Sequence, residues 1–374
     1  MAAYARFGDG VEVGEEVFKA LARFAPDGVM NVLACDQHNS ILKLLTQFFE
    51  NAQAKGKSPD EYPAESSDAD VTRACQIFAR ALGRVPNAAL FNHLGFKSEG
   101  FRELLGAETM LIGRLEDTNF LTTSEGKGQI AHLAVQPEEI AGQVDGFKTL
   151  VKVDPAHREA WEKNLEWIQD IWQRARKLGK PLFNETLYTP GGASKRELAA
   201  GLPEALVKIA RDFGAFGDFY KTQVPMLWLA GNGAAARVSS PEVIRKTTEA
   251  MAVVVDRPLL LLSAAVDFEQ YAAQYGIVCD LVAGPMCGRA YFKDPFADPE
   301  VADWQALEAA IAQVAVPRME QIKRLAAATS KPWWHKYAWM SPDARTALPE
   351  SARKQLQPDL PRPGDRVRVT DAGY

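Results

Sequence analysis

The chain has 374 residues, 47% of them hydrophobic, 24% charged and 9% aromatic, with a formal net charge of -5. That is enough apolar material for one large core or two moderate ones, and it excludes a disordered chain, a collagen-like chain and a disulfide-held miniprotein. The 43 basic and 48 acidic residues form no long block of one sign, so no surface for nucleic acid is implied, and an anionic small substrate would need a local positive site.

The N-terminus, MAAYARFGDGVEVGEEV, carries acids where an export signal has a basic region and then an apolar core. The longest apolar run, 258–266, falls well short of the ~20 residues that span a bilayer. Cys35, Cys75, Cys279 and Cys287 include no CxxC pair, and three of them lie in apolar runs. These features predict a cytoplasmic protein with no membrane contact.

Between residues 29 and 325, short strand-like runs alternate with longer amphipathic stretches. In chain order the short runs are VMNVLAC (29–35), AALFNHL (88–94), TMLIGRL (109–115), FKTLVKV (147–153), PLFNETLY (181–188), DFYKTQV (218–224), PLLLLSA (258–264) and LVAGPMC (281–287). Helices are predicted over 40–50, 68–82, 155–178, 202–213, 240–255 and 303–326. Ser240 before Pro241 and Asp154 before Pro155 read as helix starts. Alternation of this kind predicts parallel strands with crossover helices, and a count of eight favours an α/β fold of the (β/α)8 TIM barrel type over an open doubly wound sheet.

The chain then divides into an N-terminal extension (1–28), the barrel (29–326) and a C-terminal aromatic segment with a polar tail (327–374). The polar stretch 51–67, with its Pro and Gly residues, is expected to be a surface loop or lid. Trp333, Trp334, Tyr337 and Trp339 are expected to pack on the barrel or on a neighbouring subunit, which leaves room for a homo-oligomer.

Active sites of such barrels form at the C-terminal ends of the strands, so polar residues there are the ones to examine. The first run leads into Asp36, Gln37 and His38; the fourth carries Lys148 and Lys152; the fifth carries Asn184, Glu185 and Tyr188; the sixth carries Lys221. The seventh ends at Ser263 and the eighth runs into Gly288 and Arg289. Side chains alternate along a strand, so Lys148, Leu150 and Lys152 share a face, as do Glu185 with Leu187 and Phe219 with Lys221 and Gln223. Lys148, Glu185 and Lys221 can therefore point into one mouth.

A lysine inside an apolar strand is costly to bury charged, and desolvation with a second cation nearby favours the neutral amine that attacks a carbonyl to form a Schiff base. Such chemistry needs a group to move protons, for which Glu185 and Asp36 are candidates, and an anion pocket, for which Ser263, Gly288 and Arg289 are candidates. Structural roles compete at each position. Lys221 and Glu185 could be an ion pair, Arg289 could bridge two loops, Ser263 could satisfy a strand end, and Asp36 could cap the first helix.

Other motifs are weaker. GNGAAA (231–236) imitates a dinucleotide-binding turn, the basis of a nicotinamide oxidoreductase reading, but lacks a ribose-binding acid at the expected spacing. The five histidines form no HxH or HExxH pair, so no metal and no cofactor are expected. TPGGASKRE (189–197) reads as a barrel-mouth loop.

ACDQHNS (34–40), GFKTLVKVD (146–154), PLFNETLY, DFYKTQVP (218–225), LLLLSAAVDFEQY (259–271) and CGRAYFKD (287–294), taken in order, resemble the class I tagatose 1,6-bisphosphate aldolase family, which includes sulfofructose phosphate aldolases. The resemblance implies a barrel that cleaves a ketose phosphate through a Schiff base, without metal, to dihydroxyacetone phosphate and an aldehyde. It implies Lys221 as the Schiff-base lysine, Glu185 as the acid of the fifth strand, and Asp36 with Gln37 as contacts to substrate hydroxyls. Lys148 matches the lysine of the fourth strand, Ser263 the serine of the seventh, and Gly288 with Arg289 the phosphate-binding pair.

Two positions depart from the pattern: His38 stands where the family commonly has arginine, and Ala265 where it often has glycine. The first leaves the second anionic group of a substrate open, the second the shape of the phosphate site. A related reading is an aldolase of inositol catabolism acting on 6-phospho-5-dehydro-2-deoxygluconate. A non-catalytic sugar-phosphate binding protein would keep Arg289 and Ser263 without a reactive Lys221.

Overall fold

Each of the eight apolar runs becomes one strand of a closed parallel barrel in the computed structural model, which describes residues 3–190, 195–225, 228–231, 234–237 and 239–356. The strands are β1 (Val32–Cys35), β2 (Ala88–Phe91), β3 (Met110–Arg114), β4 (Gly146–Val153), β5 (Leu182–Tyr188), β6 (Phe219–Thr222), β7 (Leu259–Leu261) and β8 (Gly284–Cys287). Each lies beside the next in sequence, and β8 closes on β1 through Met286 opposite Val32. Strands in such a barrel are covered on both faces, which is why they read as unbroken apolar runs.

The interior is layered. Val32, Leu90, Met110, Ile112, Phe183, Phe219, Leu260 and Met286 form an apolar floor, within which the Phe183 and Phe219 rings stack at 4.8 Å. One inward step further along the strands, the layer becomes charged, with Arg114, Lys148, Glu185 and Lys221. Outward-facing strand residues such as Leu33, Leu111, Phe147, Leu182 and Leu261 meet the helices in a second apolar cluster.

Helix starts follow the side-chain chemistry. Ser67 and Asp70 form a reciprocal capping box at Asp68–Leu82, and the Ser240 hydroxyl accepts the Val243 N–H at 3.2 Å. Asp154 differs from expectation: its carboxylate accepts the Ala156 N–H in a turn, and the long helix begins only at Arg158. Asp36 caps nothing, because its carboxylate is drawn into the barrel instead.

The two terminal segments close the N-terminal end of the barrel together. The strand Ala5–Phe7 pairs antiparallel with both Glu12–Val13 and Tyr337–Met340, and the helix Glu15–Phe24 packs its apolar face beneath the barrel floor. Trp333 is fully buried, with its indole N–H donating to the Ala25 carbonyl at 2.9 Å and its ring edge-on to Phe18. Trp334 and Tyr337 are buried as well, and Trp339 lies against the Arg6 guanidinium. The aromatic cluster therefore packs on this chain's own barrel, the first of the two surfaces expected for it. The reason is the complementary apolar face of Glu15–Phe24, which supplies the partner surface from within the chain.

Asp218, just ahead of β6, accepts the Leu182 N–H at 2.9 Å in this buried region. Burial raises its pKa to about 6, against the opposing hydrogen bond and Arg257. The folded state thus holds a proton that the unfolded chain releases near pH 4, so this group weakens folding as pH rises through that window, by about 3 kcal/mol. Asp218→Asn keeps an acceptor and removes the charge. It is expected to gain about 2 kcal/mol at pH 7 and nothing at pH 4, measured by urea denaturation. An equal effect at both pH values would refute the assignment.

The helix His38–Ala54 runs into the stretch 51–67, and the remainder is a surface loop, as expected, but one that is strapped down rather than free to act as a lid. Lys55 pairs with Glu300, Lys57 with Asp303, and Tyr62 is buried among Phe48, Phe49 and Trp304. Residues 228–231 and 234–237 form an antiparallel hairpin with Gly231 opposite Ala234. The GNGAAA stretch thus leads into a strand, whereas a dinucleotide turn opens a helix, so the nicotinamide reading loses its structural basis. Residues 232 and 233 at its tip lie outside the described residues, as do 191–194 of the TPGGASKRE loop.

Candidate active site

A cavity of about 350 Å³ opens at the C-terminal ends of the strands, and Asp36, Gln37, Lys148, Glu185, Lys221, Ser263, Gly288 and Arg289 all line it. The strand alternation holds, because Leu150, Lys152, Leu187 and Gln223 line it too. The lining carries five cationic side chains (Arg114, Lys148, Lys152, Lys221, Arg289) and four carboxylates (Asp36, Glu116, Asp117, Glu185). In a chain of net negative charge the lining thus has one more cation than carboxylates, a locally positive site of the kind an anionic ligand requires.

At the base of the cavity Lys148 sits among three carboxylates. Its ammonium donates to Asp36 Oδ2 at 2.8 Å and Glu116 Oε1 at 2.8 Å, and lies 3.0 Å from Glu185 Oε2. An ammonium has three N–H donors; Lys148 commits two of them to these hydrogen bonds, and the third carboxylate pairs with its charge. Lys221, registered opposite Glu185 on the adjacent strand, donates to Glu185 Oε2 at 2.8 Å and makes no other ion pair among the described residues. One buried lysine is therefore locked by three partners, and the other keeps nitrogen valences turned toward the cavity.

The electrostatics follow from these contacts. Burial alone would lower the pKa of Lys148, but Asp36, Glu116 and Glu185 outweigh it and leave it raised, so the ammonium stays charged. Burial pushes Asp36 up, and Lys148, Lys221 and Arg114 override that to bring it down to about 2. Glu185 is likewise opposed by burial and held below its ordinary value by Lys148 and Lys221. Glu116 differs: burial dominates and its pKa is raised.

Toward β7 and β8 the cavity wall is backbone-rich. Ser263 is followed by Ala264 and Ala265 at φ 48° and 59°, left-handed conformations that cost L-residues roughly 1 kcal/mol each. Ala265 thus adopts the turn for which the related pattern uses glycine. Arg289 donates to Ser40 Oγ at 3.0 Å and pairs with no carboxylate among the described residues, leaving its guanidinium for a ligand. His38 lines the cavity but is tied to Asp68 at 2.8 Å.

Gly288 is needed for close approach: a Cβ there would lie 1.9 Å from the Ala34 carbonyl oxygen of β1. Gly288→Ala must push β8 away from β1, and a loss of about 3 kcal/mol in urea denaturation is expected. Wild-type stability in that variant would mean that the two strands can separate freely.

Sequence reasoning missed Arg114, Glu116, Asp117 and Phe120, all of which line the cavity. Arg114 and Glu116 continue the inward alternation Met110, Ile112, and that periodicity was the available signal. Phe120, on the connection from β3 to β4, lies 4.4 Å from the Lys152 ammonium, centroid to nitrogen, and lines the cavity. Among the described residues, no group of His, Cys, Asp and Glu is disposed to hold a metal ion, and no helix is long and apolar enough to cross a membrane.

No protein-family model matches the sequence, and no curated protein matches it significantly. Among solved structures, similar ones include a Schiff-base-forming fructose-1,6-bisphosphate aldolase (16% identity, 79% of this chain and 98% of that chain, TM-score 0.47). An archaeal fructose 1,6-bisphosphate aldolase gives 16% identity over 80% of this chain and 98% of that chain, TM-score 0.47. An archaeal fructose-1,6-bisphosphate aldolase with its catalytic lysine bound to the carbinolamine intermediate gives 15% identity over the same shares, TM-score 0.47. At this distance the likeness carries no functional argument, and the barrel rests on this chain's own strand pairing.

Proposed function

We propose that the protein is a class I aldolase that cleaves a ketose phosphate, of the tagatose bisphosphate or sulfofructose phosphate type, to dihydroxyacetone phosphate and an aldehyde. The observation that carries this reading is the unequal environment of two buried lysines: Lys148 is ion-paired with three carboxylates, while Lys221 has Glu185 alone. A nucleophilic amine must shed a proton and present a lone pair, and Lys221 has both an adjacent acceptor and an open side.

In this reading the Lys221 amine adds to the substrate ketone, and Glu185 moves the protons that turn the carbinolamine into an iminium and water. The iminium then accepts the electron pair of the breaking carbon–carbon bond, giving an enamine and releasing the aldehyde. Protonation of the enamine carbon and hydrolysis free dihydroxyacetone phosphate and the amine. Asp36, held ionised, keeps Lys148 in place and with Gln37 meets substrate hydroxyls, and Lys148 offsets negative charge beside Lys221. Arg289, Ser263 and Gly288 hold the phosphate.

Borohydride reduction with dihydroxyacetone phosphate, followed by peptide mass mapping, tests the reading. A reduced adduct on Lys221 is expected. Binding with no labelled lysine would sink the Schiff-base mechanism and leave a sugar-phosphate binding protein.

A further inference from the structure

Three carboxylates surround Lys148, and an inventory of their oxygens separates them. Asp36 spends Oδ1 on the Gln37 amide at 2.8 Å and Oδ2 on Lys148. Glu185 shares Oε2 between Lys148 and Lys221. Glu116 gives Oε1 to Lys148, while its Oε2 is buried with no hydrogen-bond partner among the described residues. A buried carboxylate oxygen left bare is expensive when ionised and much less so as an O–H. Glu116 also lines the cavity and makes no ion pair with Lys221.

We propose that Glu116 is the acid–base group that takes the hydroxyl proton during carbon–carbon cleavage and returns it to the enamine carbon. The inference rests on the aldolase reading and goes beyond it by separating two proton-moving roles. Glu185, in contact with the Lys221 nitrogen, serves carbinolamine formation and dehydration; Glu116, away from that nitrogen, serves the carbon chain. The step balances within the site. The substrate O–H proton goes to the Glu116 carboxylate, the C–C electron pair goes to the iminium nitrogen, and the aldehyde leaves. The Glu116 acid then protonates the enamine carbon as the nitrogen regains its iminium character, and Glu116 is again a carboxylate.

The charges facing Glu116 agree with a carboxylate that takes up a proton more readily than an ordinary one. Lys148 and Arg114 stabilise its anion, Asp36 opposes it, Lys152 lies farther out on β4, and burial outweighs the cations to raise its pKa. Asp36 and Glu185 are both lowered, so of the three acids around Lys148 it is Glu116 that is raised.

The test compares wild type with Glu116→Gln, which keeps an amide oxygen for Lys148. Two readouts are needed with dihydroxyacetone phosphate: borohydride trapping on Lys221, and deuterium incorporation from heavy water at the carbon that becomes the enamine terminus. Glu116→Gln is expected to trap like wild type while exchange slows by about 100-fold or more. Normal trapping with wild-type exchange would overturn this inference alone. Loss of trapping together with exchange would also overturn it, since Glu116 would then merely hold the lysines in place. A wild-type protein that neither traps nor exchanges would overturn the aldolase reading and this inference with it.

Discussion

Lys221→Met is expected to abolish the borohydride-trapped adduct and to lower aldol cleavage by on the order of 10^4-fold or more, because the covalent intermediate has no substitute nucleophile. The fold should survive the change. Methionine fills the apolar stem of the site, and Glu185, which loses one cation, keeps Lys148 at 3.0 Å, so an unfolding free energy within about 1 kcal/mol of wild type is expected. Lys221→Arg separates charge from nucleophilicity. It preserves a cation beside Glu185 but forms no imine, and it should be as inactive as the methionine variant. Turnover retained in both variants would move the nucleophile elsewhere. Lys152 would then be the residue to examine, since it lines the same cavity, forms no ion pair among the described residues, and has its pKa lowered by burial.

The barrel was legible because its strands are buried on both faces, so each appears as an apolar run between amphipathic stretches. The observed strands are shorter than most of those runs, with VMNVLAC contracting to Val32–Cys35 and PLLLLSA to Leu259–Leu261, because the ends of each run belong to the barrel rims. The candidate site was legible where a charge interrupts such a run, as Lys148, Glu185 and Lys221 do. Arg114 and Glu116 escaped notice for a local reason: each follows the apolar part of its run and looks like an ordinary polar boundary. Their significance comes from contacts with Lys148 and Asp36, distant in sequence, and only closure of the barrel creates those contacts. The polar composition of stretch 51–67 marks it correctly as a surface loop, but not that one side chain, Tyr62, buried among Phe48, Phe49 and Trp304, fixes it in place. The aromatic C-terminal cluster shows a different limit. Composition reveals that Trp333 and Tyr337 seek an apolar surface but not whose surface it is, and Glu15–Phe24 supplies it within the same chain.

Lys148→Met should do to stability what Lys221→Met does to chemistry. Removing this ammonium strands Asp36 and Glu116 within a buried layer and leaves Glu185 with Lys221 alone, and breaking a buried ionic cluster on one side costs about 3–5 kcal/mol at pH 7. The loss should depend on pH in a defined direction. In the wild type Asp36 and Glu185 have lowered pKa values, so their stabilising contribution is complete above the ordinary carboxylate range and is lost as pH falls through the folded-state values, about 2 for Asp36. Without Lys148 the same carboxylates lose their main cation, and burial drives their pKa values upward. The variant therefore binds protons on folding as the pH drops, and its deficit relative to wild type should shrink between pH 7 and pH 5. Urea denaturation at the two pH values measures both the size and the sign. A second variant, Lys148→Met with Glu116→Gln, neutralises one stranded acid and should recover part of the loss at pH 7. If Lys148→Met costs under about 1 kcal/mol, the three acids are not held by this lysine. The three ion pairs that distinguish it from Lys221 would then no longer explain why one lysine is structural and its neighbour is free to react.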